Sequence, residues 1–486
     1  MMKRWICVPV LAALLALPAA QSGAVFAAGD EDLVPAFNPP EKLDTSPVEL
    51  PEITKRIYKN GLTVYYVPHH ELPVVSMRLI ALTGSLYNPM DKPGLTGFMA
   101  DLLTKGTEKR TAPEIADAID FVGGSLNSGA GWNGTYVQVS VLKRDFELGL
   151  DLLSDVSLHP TFPEEEIERT RRQWIAGLMQ AKDNPGTIAG QAFDRFVYGD
   201  HPFAFPVDGT VESVQGFTRA DLVAQHERLF VPGNVVLAVA GDITPKAADK
   251  LVRRAFGKWP KGERPVPAAG DPVASKGGEI LLVDKPDAVQ SEIRMGYVLG
   301  RYNMGDDFFA FKLMNYMVGG GGFNSRLMLR LRNELGLTYS LRSGLSPRQQ
   351  AGAYTISSFT KTETTGEMIK EIYAVLDTIL AEGFTAEELK DAKSYLIGSY
   401  PMNFETPAQI ATQFQTLLLY DFGDPAKHIA SYRQKIAEVT LEDVNRLAKK
   451  YLHPDRIRIA VVGVGDEVED QLKPFGSVER ISIEEF

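Results

Sequence analysis

Cysteine is almost absent from this chain, which has a single one, Cys7, among 486 residues. Cys7 lies inside the apolar N-terminal stretch and lacks the run of small residues that precedes a lipid-bearing cysteine. The rest of the chain can therefore form no disulfide, although an exported location would permit one. The sequence thus predicts neither a disulfide framework nor a lipid anchor.

Concentrated basic charge is missing as well. The formal net charge is −11, from 51 Lys and Arg against 62 Asp and Glu, and no basic stripe interrupts this balance. This composition argues against nucleic acid as the main partner. An acidic protein is also kept away from anionic lipid surfaces, which favours a soluble protein.

The N-terminus is typical of a secretory signal at residues 1–27. Met1-Met2-Lys3-Arg4 forms a short basic region, residues 6–20 are almost wholly apolar, and a small-residue stretch ends at Val25-Phe26-Ala27-Ala28. The apolar stretch is shorter than the roughly 20 residues that a membrane-spanning helix needs. We expect cleavage after Ala27, no membrane span, and a periplasmic or otherwise secreted mature protein.

Histidine pairs with the spacing of a helical metal site are also lacking. The chain has seven histidines, and none lies three to five residues from another on one predicted helix face. A catalytic zinc ion usually takes three protein ligands. The sequence therefore predicts no metal site in this chain.

What is present is an alternation of strand and helix patterns over a chain that is too long for one core. Residues 56–67 read as two strands around an Asn-Gly turn. Residues 95–105 and 112–122 have helical spacing of apolar positions, and a long helix extends from Pro163 to about Ala181. We expect an α+β fold.

An internal repeat indicates that this fold is duplicated. Residues 218–241 match residues 440–463 without gaps, and each copy reads as a Thr N-cap, a helix, a Pro turn, a buried strand and a Gly. Residues 258–277, rich in Pro and Gly, are typical of a linker. We predict a flexible lead-in at 28–50 and two homologous α/β-sandwich domains, at 51–257 and 278–486.

A motif in the first half keeps its frame but lacks its chemistry. Residues 94–107 read Gly-Leu-Thr-Gly-Phe-Met-Ala-Asp-Leu-Leu-Thr-Lys-Gly-Thr. This frame resembles the Gly-Leu-x-His-x-x-Glu-His-x-x-x-Lys-Gly-Thr signature of the pitrilysin/insulinase/mitochondrial-processing-peptidase family, the inverzincins. In that family the two His bind zinc and the Glu activates water. Gly97, Ala100 and Asp101 stand at those positions here.

The resemblance implies that a third ligand is missing too. The family's third zinc ligand is a Glu on the long helix, and alignment on Asp183 and Pro185 places Gly177 at its position. Zinc activation of water needs ligands, an open site and a base. The resemblance therefore implies that this chain is not a zinc peptidase by itself. The alternative is that residues 94–107 are merely a helix after a Gly turn.

The second half carries a more complete signature. Residues 319–327 read Gly-Gly-Gly-Gly-Phe-Asn-Ser-Arg-Leu, and residues 332–340 read Arg-Asn-Glu-Leu-Gly-Leu-Thr-Tyr-Ser. Both resemble the family's second-half motif, which implies that Arg332 and Tyr339 face a zinc site from the opposite half of a clamshell. An Arg can hold a peptide carbonyl with two donors, and a Tyr hydroxyl can stabilise an oxyanion. Otherwise Arg332 caps a helix C-terminus and Tyr339 packs at a strand start.

The glycine run Gly319, Gly320, Gly321 and Gly322 has two interpretations. Four glycines permit tight turns and a close approach of a peptide backbone, and a longer glycine loop recognises substrate in the non-catalytic subunit of the mitochondrial processing peptidase. The run also suits a plain turn between helices. Because no Gly-Lys-Ser/Thr follows it, a phosphate-binding loop is not implied.

The resemblance implies two functional hypotheses. In the first, the chain is the non-catalytic subunit of an exported two-chain metalloendopeptidase and forms a heterodimer with a zinc-bearing paralogue. It would close the chamber around extended peptides and hold no cofactor itself, the zinc being in the partner. In the second, it is a structural or peptide-binding protein of the same fold without a role in proteolysis. A third interpretation, a zinc peptidase with unorthodox ligands, has little support.

Overall fold

The computed structural model describes residues 43–48, 50, 52–267, 269–270, 272 and 276–485. The predicted signal at 1–27 and most of the predicted lead-in lie outside these residues. The end of the lead-in packs on the second half of the chain: Leu43 and Val48 contact its core, and Arg433 donates to the Ser46 carbonyl at 2.8 Å.

Twelve strands are found in the described residues. They are β1 (Thr54–Ile57), β2 (Thr63–Pro68), β3 (Val74–Ala81), β4 (Ser125–Ala130), β5 (Thr135–Leu142), β6 (Val235–Gly241), β7 (Glu279–Asp284), β8 (Ser291–Gly300), β9 (Leu341–Leu345), β10 (Gly352–Thr360), β11 (Arg458–Gly463) and β12 (Ser477–Ser482). They form two six-stranded sheets, with the orders β1-β2-β6-β3-β5-β4 and β12-β7-β11-β8-β10-β9.

The helices of the first half flank the first six strands in sequence. They are α1 (Leu95–Leu102), α2 (Ala112–Phe121), α3 (Phe146–Leu158), α4 (Glu164–Ala181), α5 (Pro185–Tyr198), α6 (Val211–Gly216), α7 (Arg219–Leu229) and α8 (Pro245–Phe256). Those of the second half are α9 (Phe308–Asn315), α10 (Arg326–Met328), α11 (Thr365–Glu382), α12 (Ala386–Ser399), α13 (Pro407–Leu419), α14 (Pro425–Glu438), α15 (Leu441–Tyr451) and α16 (Gly465–Leu472). Within the described part of the chain, no helix is long and apolar enough to cross a membrane.

The two sheets repeat one pairing pattern. In the first, β2 runs parallel to β6, and β6, β3, β5 and β4 are successively antiparallel. In the second, β7 is parallel to β11, and β11, β8, β10 and β9 are successively antiparallel. The two sheets differ in one edge strand. Strand β1 is antiparallel to its neighbour β2, whereas β12 is parallel to its neighbour β7. The predicted α+β fold with two homologous domains is confirmed, while the residue limits of the domains remain a prediction.

The internal repeat corresponds to one structural unit in each half. Helix α7 begins after Thr218, whose side chain accepts from the backbone N–H of Asp221 at 3.2 Å. Helix α15 begins after Thr440, which accepts from Asp443 at 3.1 Å in the same capping box. Each helix leads through a short 3₁₀ turn into a buried central strand, β6 or β11.

Each sheet is covered on one face by a helix of the other half. Helix α5 packs on β7, β8 and β11, while α13 packs on β3 and β6. The ring of Phe414 on α13 lies 5.3 Å from that of Tyr65 on β2, and Arg294 on β8 donates to the Gly186 carbonyl of α5 at 2.9 Å. The central strands are therefore buried on both faces, which explains their continuous apolar sequences, such as Val235–Gly241.

Candidate functional site

Helix α1 holds the degenerate motif inside the first half. It ends at Leu102 rather than at the predicted residue 105, and seven of its eight residues are buried. Gly94 precedes it with φ +88°, and a Cβ there would lie 2.6 Å from the Cα of Gly209. Only glycine suits such a conformation and such a close backbone approach. Gly97 and Ala100 are buried, whereas Asp101 is half-buried.

Gly97 is closed in by its neighbours. A Cβ at this position would lie 2.9 Å from the carbonyl oxygen of Val207 and 3.6 Å from the Trp174 ring. Trp174 donates its indole N–H to the Asp208 carbonyl at 2.9 Å, and its ring packs edge-on against Phe98 at 5.5 Å. Packing therefore occupies the place from which the family's first zinc ligand would extend. Sequence reasoning missed Trp174, whose only signal is an aromatic residue on an otherwise solvated helix.

The residues at the four degenerate positions do not fit a zinc ion. Gly97, Ala100 and Gly177 carry no donor atom, and Asp101 would be a lone ligand where three are needed. Gly177 is exposed on α4, with open space where a side chain would extend. The described residues contain no group of three or more His, Cys, Asp or Glu side chains that could hold a metal ion.

The surviving frame of the motif makes structural contacts. Gly106 has φ +146° and forms a bridge to Thr111. The Thr107 hydroxyl donates to the buried carboxylate of Asp155 at 2.9 Å, and Arg110 donates to the same carboxylate at 2.6 Å. These contacts tie the end of α1 to α3, and they need no metal.

A cleft of about 550 Å³ opens beside the C-terminal end of α1. Its walls come from Thr104 and Lys105, from α2, from α4 through Glu166 and Arg169, and from β4. Strand β4 is the outermost strand of its sheet and pairs only with β5 among the described residues. An open strand edge can accept an extended chain as an added strand. Sequence reasoning did not identify β4, whose polar and Gly-containing sequence lacks a strand pattern.

The structure brings Arg332 and Tyr339 together and adds a third residue, Phe323. The guanidinium carbon of Arg332 lies 4.2 Å from the centre of the Phe323 ring and 4.8 Å from that of Tyr339. We call these three residues the Arg332 cluster. Both rings face solvent, with 58% of Phe323 and 73% of Tyr339 exposed. Cation–π attraction holds the guanidinium beside the rings and leaves its N–H donors available.

The polar groups of the cluster have no partner in the described part of the chain. Neither the Arg332 guanidinium nor the Tyr339 hydroxyl forms a hydrogen bond or ion pair there. Arg332 lies in the last turn of the helical segment Leu329–Glu334 and Tyr339 lies two residues before β9, but within the described residues the Arg332 side chain makes no capping hydrogen bond and 73% of Tyr339 is exposed. Phe323 was missed because a single aromatic residue after a glycine run carries no periodic signal.

Two neighbouring arginines are, by contrast, fully engaged. Arg326 donates to both carboxylate oxygens of Glu388, at 2.6 and 2.9 Å, and to a backbone carbonyl. Arg330 donates to Glu371 at 2.9 Å and to Glu334 at 2.8 Å. Although burial opposes it, the bonds from Arg326 and from Thr385 hold the pKa of the Glu388 carboxyl below its usual range. Among the described residues, Arg332 thus differs from these two arginines in having no carboxylate partner.

Two π-helical segments frame the cluster, Tyr316–Gly320 and Leu329–Glu334. Arg332 lies in the second, and the glycine run begins in the first. Such wide turns are rare and occur often at functional sites. They widen the backbone where α9 and α10 end.

The glycine run is mostly packed rather than free. A Cβ would lie 2.7 Å from the Ser343 hydroxyl at Gly319, 2.5 Å from the Asn315 amide at Gly320 and 2.7 Å from the Tyr316 ring at Gly321. Gly322 alone has open space and φ +61°. The first three glycines are therefore explained by a tight turn, and Gly322 leads the chain out to Phe323.

The two predicted sites do not meet within one chain. Among the described residues, no hydrogen bond, ion pair or ring contact joins α1 or α4 to the Arg332 cluster. The packed surroundings of Gly97 in the first half and the Arg332 cluster in the second half are thus separate sites.

Comparison with known sequences identifies one family over most of the chain. Residues 63–207 match the family described as insulinase (peptidase family M16), and residues 216–396 match that described as peptidase M16 inactive domain. A protein named as an uncharacterised zinc protease of Mycobacterium leprae (strain TN) is 32% identical over 371 residues, or 76% of this chain and 82% of the relative. The uncharacterised zinc protease YmxG of Bacillus subtilis (strain 168) is 25% identical over 401 residues, or 82% of this chain and 95% of the relative.

Solved structures share the fold. The peptidase M16 inactive domain from Pseudomonas fluorescens is 29% identical and superimposes with a TM-score of 0.79, over 85% of this chain and 98% of that one. The first half of the periplasmic protease PqqL from Escherichia coli, at 18% identity, has a TM-score of 0.72 over 86% of this chain and 93% of that one. Against the whole of PqqL the match covers 88% of this chain but 49% of PqqL. With its two matched segments, its relative at 32% identity and its duplicated fold, the chain belongs to the M16 (insulinase) peptidase family.

Proposed function

We propose that this protein is the non-catalytic subunit of an exported two-chain zinc peptidase. A partner chain of the same family would hold the zinc ion and the general base. This chain would close the chamber and contribute Arg332 and Tyr339 to the partner's site. Extended peptides would be the substrates.

The observation that carries the proposal is the unpartnered state of Arg332 and Tyr339. The exposed Tyr339 hydroxyl and the guanidinium of the half-buried Arg332 beside it have no hydrogen-bond partner among the described residues, so both are available to a group from outside the chain. Arg332 can donate two parallel hydrogen bonds to a peptide carbonyl or its flanking group. The Tyr339 hydroxyl can donate to an oxygen on which negative charge develops.

Two further observations support a partner. The first half has no donor set for zinc, because three of the four degenerate positions lack a donor atom. The chain also matches about half of PqqL in length, so two chains of this size supply as many domains as that single-chain protease.

The test is turnover by a reconstituted complex. We would co-express the full chain with a family member that has an intact His-x-x-Glu-His motif, ideally one encoded beside it, and measure cleavage of an unstructured fluorogenic peptide. Arg332→Ala and Tyr339→Phe should each lower kcat/KM by about 100-fold, the scale found for loss of one oxyanion donor. Arg330→Ala is the matched control, since Arg330 is two residues away but is bound to Glu371 and Glu334.

The outcomes separate the two hypotheses. If an active complex forms and both variants retain full turnover, the shared-site proposal is wrong. If no zinc-bearing relative binds the chain and it is a stable homodimer alone, a structural or peptide-binding role replaces it.

A further inference from the structure

Helices α9 and α14 of the second half bring together three basic side chains that the proposed function does not use. Lys312 on α9 has its side-chain nitrogen 4.9 Å from the centre of the Tyr432 ring. On α14, the His428 ring stacks on that of Phe309 at 5.7 Å, and the side-chain nitrogen of Lys435 lies 5.2 Å from the same Phe309 ring. We call Lys312, His428 and Lys435 the Lys312 cluster.

No carboxylate compensates this positive charge within the described residues. Neither lysine of the cluster forms a hydrogen bond or ion pair there through its side chain. Asp307, which precedes α9, accepts instead from Lys450 at 2.6 Å. The other acids beside these helices are exposed and make no ion pair with the cluster; they are Asp306, Asp421 and Asp424.

The surroundings of Lys312 favour its neutral amine. Burial lowers the pKa of Lys312 to about 8, and no acidic group opposes this effect. Burial also lowers the pKa of His428 to about 4, with further contributions from Lys435 and then Lys312, so the three groups are close enough to interact. A lysine that is desolvated, or that lies beside another cation, is an activated nucleophile. Lys312 meets both conditions.

We propose that Lys312 is a carbamylation site, at which the side-chain amine binds carbon dioxide covalently as a carbamate. The nitrogen lone pair forms a C–N bond to the carbon of CO₂, one C=O electron pair moves onto oxygen, and the displaced amine proton leaves to water. The step needs no oxidant, reductant or second reactant. It lies outside the Arg332 cluster and does not depend on the proposed function.

The charge of the product selects CO₂ over other electrophiles. A protonated imine, formed with an aldehyde, remains a cation, and an acylated lysine is neutral, so neither gives Lys435 a counter-ion. A carbamate is an anion, and it converts the repulsion within the cluster into an ion pair with Lys435. CO₂ is also small and apolar, which suits a half-buried amine between the rings of Tyr432 and Phe308.

Chemical trapping on the full chain tests the inference. The protein is equilibrated with a fixed partial pressure of ¹³CO₂ at pH 8, close to the lowered pKa of Lys312. Triethyloxonium ion then converts any carbamate into a stable ethyl ester, which peptide mass spectrometry locates. We expect the ester at Lys312. Lys450 is the internal control and should carry none, because its bond to Asp307 raises its pKa.

Three variants sharpen the result. Lys312→Arg and Lys312→Met should remove the trapped ester, and circular dichroism checks that both fold. Lys435→Gln, at an exposed position, should lower the fraction trapped at Lys312 about 5-fold, the scale of one ion pair.

The inference is overturned if no ester forms at Lys312 of the wild type, or if Lys450 is labelled to the same extent, since ordinary surface reactivity would then explain the signal. Undiminished trapping in Lys435→Gln would also contradict it, because the carbamate would then have no partner in the cluster.

Discussion

Helix α1 of the first half and the Arg332 cluster of the second half differ in how fully their groups are engaged. Around α1, Gly97 is covered by Trp174 and the Val207 carbonyl, and Thr107 is bound to a buried carboxylate. In the Arg332 cluster, the two rings face solvent, Arg332 is half-buried, and its guanidinium and the Tyr339 hydroxyl have no hydrogen-bond partner among the described residues. A motif can therefore retain its frame for packing alone, whereas groups kept exposed and unpaired indicate binding.

The packing around α1 can be disrupted by a substitution at Gly97. Gly97→His should lower the free energy of unfolding by about 3 kcal/mol, because the new side chain meets the Val207 carbonyl and must displace the backbone or Trp174. Urea denaturation followed by circular dichroism measures the change.

Gly177→Glu is the matched control for this prediction. Gly177 has open space on an exposed helix face, so the substitution should raise stability by about 0.5 kcal/mol through helix propensity. Equal effects at the two glycines would show that α1 is not closed as described.

A pH dependence of stability is expected from His226 in the first half, and also from His428 in the second half, whose pKa burial likewise lowers to about 4. Burial is the main cause that lowers the pKa of His226 to about 4, His159 lowers it further, and the hydrogen bond from Nε2 to the Ser157 carbonyl opposes them. The unfolded chain takes up this proton near pH 6.5, whereas the folded chain does not. The contribution of His226 to the unfolding free energy should thus fall by about 2 kcal/mol between pH 7 and pH 4.5.

Denaturation curves over this pH range measure the effect. His226→Gln should remove the His226 part of the slope and leave the part due to His428, because Gln can donate to the Ser157 carbonyl without titrating. His159→Gln, at an exposed neighbour, should keep most of the slope. An unchanged slope in His226→Gln would contradict the assignment.

The structural role of the motif frame can be tested at Thr107. Thr107→Val removes the hydroxyl that donates to Asp155, so one oxygen of a buried carboxylate loses a partner. We expect a loss of about 1.5 kcal/mol in unfolding free energy. Thr378→Val, at an exposed helix position, should lower the unfolding free energy by no more than about 0.5 kcal/mol. Comparable losses at both threonines would show that the Thr107 contact does not stabilise the motif more than an ordinary surface contact does.

The smallest expected effects compare two arginines of the second region. Arg326→Ala should cost about 1 kcal/mol of stability, because it removes a two-bond contact with Glu388. Arg332→Ala should cost about 0.5 kcal/mol or less, since its exposed cation–π contacts are weak. Thermal unfolding of both variants checks the order, and a larger loss for Arg332 would indicate a structural rather than a binding role.

Local sequence patterns predicted much of the fold. The strands around Asn60-Gly61, the helix at α2 and the Thr-capped helices at 219 and 441 were found because periodicity and capping are local. The sequence predicts that the long helix ends at about Ala181, and the Asn184-Pro185 pair just beyond that end starts α5, with Asn184 as N-cap and Pro185 at the first position. Patterns that end one element and begin another are ambiguous without the tertiary structure.

The sites were predictable to different degrees. The family resemblance pointed to Gly97, Ala100, Asp101 and Gly177, because the spacing of a motif is visible in the sequence. It could not indicate that Trp174 closes Gly97, since these residues lie on different helices. Phe323 joins the Arg332 cluster only through a turn whose geometry the sequence does not state.

By itself, the sequence determined the duplicated α+β architecture, the loss of the zinc-binding donors and the retention of Arg332 and Tyr339, because these follow from residue identity and spacing. Only the tertiary structure decided that α5 and α13 each cover the sheet of the other half, that Gly97 has no room for a side chain, and that Arg332 has rings but no carboxylate beside it. The physical reason is that packing and partner availability depend on contacts between residues far apart in the chain, which local patterns do not record.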